Sequence, residues 1–280
     1  MKNFILRTIS GAVYVALIIS AILLLDNSPI AFTILMSAFI ALGMNEIYTM
    51  TRKEVCESWL IMARDMLGGI GLFISLYYMS IEDTSSQGKW LIVTAMYMVA
   101  RSIVQLYRPK QNAVHSLMRS YFGIVYVALP LAMLNSIIAL TSARTLLAIF
   151  CFIWINDTGA FLSGVTLGRH KIFKRVSPKK SWEGFFGGVL LCVGAAWASH
   201  TWLNDFFQCP TLDVWVGLSV VVALAGTFGD FVESLLKRTL DVKDSGNLIP
   251  GHGGILDRID SLLLVAPAAL IYLALVVYNS

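Results

Sequence analysis

The sequence predicts an all-α integral membrane protein with about nine transmembrane helices. Of its 280 residues, 57% are hydrophobic and only 14% are charged, and the mean hydropathy is +0.74. Soluble domains are roughly 45–50% apolar and about 25% charged, so this composition indicates a chain that crosses a bilayer repeatedly. Apolar runs of bilayer-spanning length recur along the chain, and Lys and Arg are concentrated in alternate connections between them.

Nine apolar segments have the length that a membrane helix needs. The first follows basic residues but has no small-x-small cleavage site before Asp26, so it is interpreted as an uncleaved helix. The third contains Gly68, Gly69 and Gly71, which makes it the weakest of the nine. The segments are 9–25, 29–45, 66–81, 90–106, 121–140, 145–168, 184–200, 212–236 and 259–278.

Positive charges predict the side of the membrane on which each connection lies. With the N-terminus in the cytoplasm, 18 of the 21 Lys and Arg residues fall on the cytoplasmic side. Lys89 and Arg144 fall on the other side, and Arg101 lies within the fourth segment. Because cytoplasmic loops carry an excess of Lys and Arg, the C-terminus is predicted on the opposite side of the membrane.

The composition gives no sign of a disulfide framework, a structural zinc site or a nucleic-acid partner. The formal net charge is only +4. The four cysteines have neither paired nor CxxC spacing, and two of them, Cys151 and Cys192, lie in apolar runs where they are expected to pack.

The most informative stretch, Gly229–Asp260, leaves one apolar segment, crosses a polar glycine-rich loop and enters the last segment. Asp230, Ser234 and Lys237 have i, i+4, i+7 spacing, which places them on one face of a helix. Asp257 and Asp260 have i, i+3 spacing and share a face of the next helix. Carboxylate oxygens in this number suit Mg²⁺, which takes one or two carboxylates together with substrate phosphates.

This signature stretch resembles that of the phosphatidate cytidylyltransferases, or CDP-diacylglycerol synthases. The family pattern is a serine, Lys-Arg, Lys-Asp with a small residue, His-Gly-Gly, Asp-Arg and a final Asp, and the chain shows no departure from it. So many fixed polar positions are far more specific than a lone glycine motif. The matching residues are Ser234, Lys237, Arg238, Lys243, Asp244, Ser245, Gly246, His252, Gly253, Gly254, Asp257, Arg258 and Asp260.

A second constellation lies between Asn156 and Gly188. Asn156 and Asp157 fall near the middle of an apolar run, where a carboxylate costs about 2.5–3.5 kcal/mol on the insertion scale. A polar cavity, a cation or a proton must offset that cost, the simplest alternative being helix packing around one protonated aspartate. The 169–183 loop that follows carries six Lys or Arg in fifteen residues, and its end, Ser177–Gly184, is similar to a second block of the same family.

The resemblance implies a CTP:phosphatidate cytidylyltransferase that makes CDP-diacylglycerol and pyrophosphate at the cytoplasmic face of the cell inner membrane. It implies Mg²⁺ as cofactor, leaves open a second cation and a homodimer, and divides the chain into N-terminal helices (1–120) and a catalytic region (121–280) with cytoplasmic loops at about 169–183 and 237–258. The catalytic residues would be Lys237, Asp257 and Asp260, and the metal ligands would be Asp230, Asp257 and Asp260. The headgroup cavity would be lined by Asn156, Asp157 and Glu183. The CTP phosphates would be bound by Lys179, Lys180, Ser234, Lys237, Arg238, Lys243, His252, Gly253, Gly254 and Arg258.

Two other functions remain open. A CTP-dependent polyprenol or phytol kinase resembles the same superfamily, but its alcohol nucleophile would need a base that the sequence does not clearly offer. A cation-coupled transporter would use Asp157 and Asp230 as ion sites. Internal repeats and broken helices are expected of such a transporter, and the Asp-rich motif shows no convincing repeat.

Overall fold

The computed structural model describes residues 2–52, 58–81, 84–108, 112–209, 211–248 and 253–279. Within these ranges the chain forms α-helices and no β-strand. Seven helical segments of the described chain are long and apolar enough to cross a membrane, and 8–23 and 92–106 are shorter apolar helices. The α-helical, multi-pass membrane class is therefore confirmed, whereas the count of nine and the orientation stay predictions.

The chain folds as two compact units. The first unit comprises 1–139 together with 240–258. Its elements are α1 (Lys2–Leu23), α2 (Ile30–Met50), α3 (Trp59–Ile81), α4 (Thr84–Leu106), α5 (Ala113–Gly123), a π-helical turn (Ile124–Ala128) and α6 (Leu129–Leu140).

Several helices of the first unit begin earlier than the apolar pattern predicts, and α3 and α5 show the reason. Helix α3 starts at Trp59 rather than at Met66, and α5 starts at Ala113 rather than at Tyr121. Asp65 and Arg119 interrupt the apolar pattern near these starts, yet both side chains are buried in the fold. Polar residues inside a helical bundle are tolerated when neighbouring helices satisfy them, so the helices continue past them.

Asp65 shows how such a buried charge is satisfied. It is fully buried, and its carboxylate accepts hydrogen bonds from Tyr97 Oη at 2.6 Å, from Ser120 Oγ at 2.5 Å and from the Tyr48 hydroxyl. The Arg101 guanidinium lies 3.3 Å from the same carboxylate. A paired and hydrogen-bonded ion of this kind ties α2, α3, α4 and α5 together inside the first unit.

The second unit comprises 140–239 together with 259–280. Its elements are α7 (Ala143–Thr166), α8 (Trp182–Trp202), α9 (Asn204–Phe207), α10 (Leu212–Thr239) and α11 (Leu256–Asn279), whose first residues belong to the first unit. Helices α7, α8 and α10 pack against one another. A Cβ atom at Gly159 would lie 3.0 Å from the Gly188 Cα atom, so the close approach of α7 and α8 depends on glycine there.

Candidate active site

A cavity of about 470 Å³ lies in the second unit, lined by residues of α7, α8, α10 and the 169–183 loop. Phe161, Val165 and Phe185 contribute apolar surface to its wall. Lys180 and Asp230 contribute charge to the same wall. The cavity therefore combines an apolar surface with ionised groups, which is the pattern expected of a site for an amphiphile.

Asn156 and Asp157, which begin the second constellation, both line this cavity. Asn156 is 2% exposed, and its Nδ2 atom donates a hydrogen bond to Thr227 Oγ1 at 3.3 Å. Its Oδ1 atom is buried and accepts no hydrogen bond from the part of the chain that the structure describes. A buried polar oxygen without a protein donor is costly, which makes Asn156 Oδ1 a candidate contact for a ligand or water in the cavity.

Asp157 is exposed towards the cavity rather than packed away from it. We expect Asp157→Asn to lower turnover if the carboxylate orients a cation or a polar headgroup there, because the amide keeps the volume but not the charge. Turnover and metal dependence measured in membranes with matched protein levels check this. Wild-type rates with unchanged metal dependence would assign Asp157 to helix packing.

Two carboxylates face each other where α10 meets α11 in the second unit. Asp230 and Asp260 lie within hydrogen-bond reach of each other, and the buried Glu233 carboxylate is close to Asp260. Ser261 holds both: its Oγ atom donates to Asp230 Oδ1 at 2.8 Å, and its backbone N–H donates to Asp260 Oδ1 at 2.8 Å. Carboxylates this close repel each other unless a proton or a cation lies between them.

Two lysines supply part of the opposing charge. The Lys180 ammonium group donates to Asp230 Oδ2 and lies 4.8 Å from the centre of the Phe231 ring. Lys237 Nζ lies 2.5 Å from Glu233 Oε2, one helical turn away on α10. The predicted i, i+4, i+7 face of α10 is therefore confirmed as helical, but its lysine pairs with a glutamate that the sequence argument did not use.

Glu183 closes the 169–183 loop in the structure. Its carboxylate accepts hydrogen bonds from the backbone N–H groups of Arg169 and His170 at 3.1 Å, and the His170 Nδ1 atom lies 2.6 Å away. Ser181 caps α8, since its Oγ atom accepts the Gly184 N–H at 3.2 Å. Glu183 is not among the residues that line the cavity, so its predicted headgroup role stays a prediction.

The signature loop, 240–255, belongs to the first unit and is described for 240–248 and 253–255. Asp257, just after it, accepts backbone N–H groups of Ser245 at 3.0 Å and Gly254 at 2.8 Å on its Oδ2 atom. Gly253 has φ of +84°, a conformation that side chains other than glycine rarely adopt. The two described parts of the loop are thus brought together on the Asp257 carboxylate.

The remaining predicted phosphate-binding residues are placed as follows. Ser234 is half-buried on α10 and Gly254 is buried, while His252 lies outside the described residues. Four other side chains of this set are exposed: Lys179, Arg238, Lys243 and Arg258.

The predicted Mg²⁺ can be compared with the donors that the fold supplies. Across the described ranges, no group of three or more His, Cys, Asp or Glu side chains is arranged to hold a metal ion. The Asp230–Asp260 pair nevertheless fits a hard cation, because Mg²⁺ is commonly held by one or two carboxylates, with water and substrate phosphates completing its shell. Asp257 belongs to the other unit, so its sharing of a metal with this pair stays a prediction.

Three functional candidates were missed by the sequence argument. Glu233 and Ser261 adjoin residues that were singled out, so their i+3 and i+1 spacing from Asp230 and Asp260 was the available signal. Glu46 lies within α2 and is 6% exposed. Glu46 comes one residue after a predicted membrane segment. It could have been considered a functional candidate on the same ground as Asp157, because carboxylates within membrane helices usually have a function.

Comparison with known proteins identifies the family of the chain. The model of the cytidylyltransferase family matches residues 5–276. A phosphatidate cytidylyltransferase of Staphylococcus aureus (strain COL) is 44% identical over 120 residues, which cover 42% of this chain and 44% of that protein. The corresponding Bacillus subtilis (strain 168) protein is 44% identical over 124 residues, which cover 44% of this chain and 45% of the relative. The matched stretch therefore spans less than half the length of each relative, but the family model spans nearly the whole chain, and the chain belongs to the cytidylyltransferase family.

Proposed function

We propose that this protein is a CTP:phosphatidate cytidylyltransferase that makes CDP-diacylglycerol and pyrophosphate. Membership of the cytidylyltransferase family and relatives named phosphatidate cytidylyltransferase support the reaction class. The multi-pass helical structure supports a substrate that resides in the membrane.

The observation that carries the proposal is the position of Asp230. Its carboxylate lines the cavity and also faces Asp260, so the cavity wall and the carboxylate pair share one residue. A phospholipid bound in this cavity would place its acyl chains against Phe161 and Val165 and its phosphate beside Lys180. An amphiphilic substrate and a triphosphate-binding carboxylate pair are what a lipid cytidylyltransferase requires.

In the proposed reaction, an oxygen of the phosphatidate phosphate attacks the α-phosphorus of CTP. The new P–O bond forms while the bond from the α-phosphorus to the bridging oxygen of the β-phosphate breaks, and pyrophosphate leaves. The phosphate nucleophile is already ionised near neutral pH, so no general base is needed. Lys180 and Lys237 would neutralise charge and hold the phosphates in line, because positioning supplies much of the rate in phosphoryl-type transfers.

Asp230 and Asp260 are the residues that would hold Mg²⁺ in this proposal, with Asp257 as a further ligand. The ion would supply charge neutralisation for the triphosphate and the leaving pyrophosphate. Ser261 orients both carboxylates of the pair, and the Lys180 ammonium group holds Asp230 in place by an ion pair.

Labelled CTP tests the reaction directly. Purified protein in detergent–phosphatidate micelles with Mg²⁺ is expected to transfer label from the α-phosphate of CTP to lipid and to release γ-label in pyrophosphate. Transfer of γ-label to a polyprenol or phytol, with release of CDP, would establish the kinase alternative instead. Absence of any CTP turnover alongside cation-driven transport in vesicles would establish the transporter.

We further propose that the active site faces the cytoplasm from the bacterial inner membrane, where CTP is available. The support is the distribution of Lys and Arg, of which 18 of 21 fall on one side of the predicted topology. The family resemblance leaves a homodimer open. The molar mass of the purified protein in detergent would distinguish a monomer from a homodimer.

Cysteine labelling tests this topology. Single cysteines substituted at Lys174 and at Lys243, in a background from which the native cysteines have been removed, are expected to react with a membrane-impermeant maleimide only in inverted vesicles. Both residues are exposed, so access by the reagent is not limited by burial. A cysteine at Lys89 is the matched control and should react from the outside of intact cells. Labelling of the cysteine at position 174 or 243 from outside would show that the predicted orientation is reversed.

A further inference from the structure

The Glu46 carboxylate lies inside the first unit against the signature loop. It is 6% exposed on α2, and its Oε2 atom accepts the Ser245 hydroxyl at 2.6 Å. Its Oε1 atom accepts the Ile255 backbone N–H and its Oε2 atom accepts that of Leu256, both at 2.8 Å. Residues about 200 positions apart in the sequence are therefore joined by hydrogen bonds to one buried, acidic side chain.

These contacts replace a missing helix cap. Helix α11 begins at Leu256, and the residue before it, Ile255, has no side-chain oxygen with which to accept the first N–H groups. Glu46 accepts those N–H groups from a different helix. A negative charge at a helix N-terminus is also favoured by the helix dipole, and hydrogen bonds to a charged acceptor are stronger than neutral ones.

The same carboxylate leaves no room for a side chain at two glycines of the loop. A Cβ atom built on Gly254 would lie 2.2 Å from Glu46 Oε2, and one built on Gly246 would lie 2.7 Å from Oε1. Neither distance is possible for a real side chain, so both positions require glycine while Glu46 occupies its present place. Two glycines that the sequence motif contains thus have a packing reason that the motif alone does not give.

Ser245 links Glu46 to Asp257. The Ser245 hydroxyl donates to Glu46, while its backbone N–H donates to Asp257 Oδ2, which also accepts the Gly254 N–H. The two ends of the loop are therefore clamped between two carboxylates. The Ser245 and Gly254 N–H groups thus hold Asp257 Oδ2 in its present orientation.

We infer that Glu46 is a positioning residue for the reaction: it fixes the signature loop and the start of α11, and through them the orientation of Asp257 towards CTP. This inference rests on the proposed function for its kinetic consequence, but the clamp itself does not. Glu46 touches neither substrate; it acts through Ser245, Ile255 and Leu256.

The test compares Glu46→Gln with Asn45→Ala, whose side chain is exposed at the adjacent position of α2. The amide keeps the size of Glu46 but turns an NH₂ group towards N–H donors. Hydrogen exchange at the Ile255 and Leu256 amides of the full-length protein in detergent should accelerate about tenfold or more, the size of effect expected from losing a charge-assisted hydrogen bond. Exchange in α7, which belongs to the second unit, should be unchanged, and Asn45→Ala should match wild type at every amide.

Kinetics then separate positioning from a general loss of structure. We expect Glu46→Gln to raise KM for CTP about tenfold or more while KM for phosphatidate, whose proposed cavity is in the second unit, stays at the wild-type value. Ser245→Ala should raise KM for CTP as well, and the double variant should be no worse than Glu46→Gln alone, because both changes remove the same hydrogen bond.

Three results would overturn the inference: unchanged exchange at Ile255 and Leu256, equal increases of both KM values, or strictly additive effects of the two substitutions. If wild-type protein turns over no CTP, the proposed function fails, and the exchange experiment alone still decides whether Glu46 holds the loop.

Discussion

Asp260→Asn is expected to abolish most CTP turnover without destabilising the protein. Asp260 faces Asp230 and Glu233, so the wild-type cluster holds three carboxyl groups at short range. Replacing one carboxylate by an amide relieves the repulsion among them, and thermal stability should stay the same or rise. Turnover should fall by about 10² or more, the loss typical of removing a preorganised electrostatic group from a reacting centre.

The opposite directions of the two effects make this substitution diagnostic. A folding defect would lower stability and activity together. Asp230→Asn is a less clean probe, because it also leaves Lys180 without its carboxylate partner and is expected to lower stability as well as turnover. Asp213→Asn is the matched control: it is exposed in the first turn of α10, so turnover should stay at the wild-type value while stability falls at most slightly through the loss of a charge near the helix N-terminus.

Turnover of phosphatidate and CTP at saturating Mg²⁺, together with thermal unfolding of the same preparation without added divalent cation, decides the matter. If Asp230→Asn and Asp260→Asn are both folded and both retain near wild-type turnover, the carboxylate pair does not hold the metal. If Asp257→Asn alone loses activity, the metal belongs with the signature loop.

The helices were the most predictable part of this protein, because hydropathy and length decide which segments enter a bilayer. Their ends were less predictable, and Asp65 shows the reason. The hydropathy of one segment is lowered by an aspartate. In the fold, however, the Asp65 carboxylate accepts hydrogen bonds from Tyr97 and Ser120, which belong to two other helices. Such partners lie far apart in sequence and emerge only when the helices are packed.

The candidate site divides in the same way. The motif spacing placed Asp230 and Lys237 on one helix, which the structure confirms. Glu46 could not be associated with the signature loop from spacing, since a contact between residues about 200 positions apart leaves no local periodicity. Lys180 was predicted to bind phosphate, and its contact with Asp230 depends on the fold of the 169–183 loop, which no pattern in the sequence specifies.

Gly229→Ala is expected to reduce both stability and turnover, although alanine is the better helix former by about 1 kcal/mol. A Cβ atom at Gly229 would lie 2.7 Å from the Asp260 carbonyl oxygen and 2.9 Å from the Ser261 Cα atom. Both are backbone atoms of α11, so no side chain can rotate to relieve the clash. The helices must separate, and overpacking of this kind typically costs about 1–3 kcal/mol.

Separation at this point acts on the carboxylate pair directly. Gly229 immediately precedes Asp230, and the atoms it would displace belong to Asp260 and Ser261. A shift of about 1 Å in catalytic geometry can cost about 10² in rate, so turnover should fall by at least about tenfold, more than the stability change alone explains.

Gly226→Ala is the matched control for this prediction. It lies on the same helix one turn earlier, where the nearest atom to a new Cβ would be the Val265 side chain at 3.6 Å, an ordinary contact. This substitution should leave turnover near wild type and thermal stability equal or slightly higher, as helix propensity predicts. Thermal unfolding and initial rates of the two variants in one detergent provide the comparison. Equal activity of the two variants would show that the close approach of α10 and α11 does not position the carboxylates, since both add the same methyl group and differ only in what it meets.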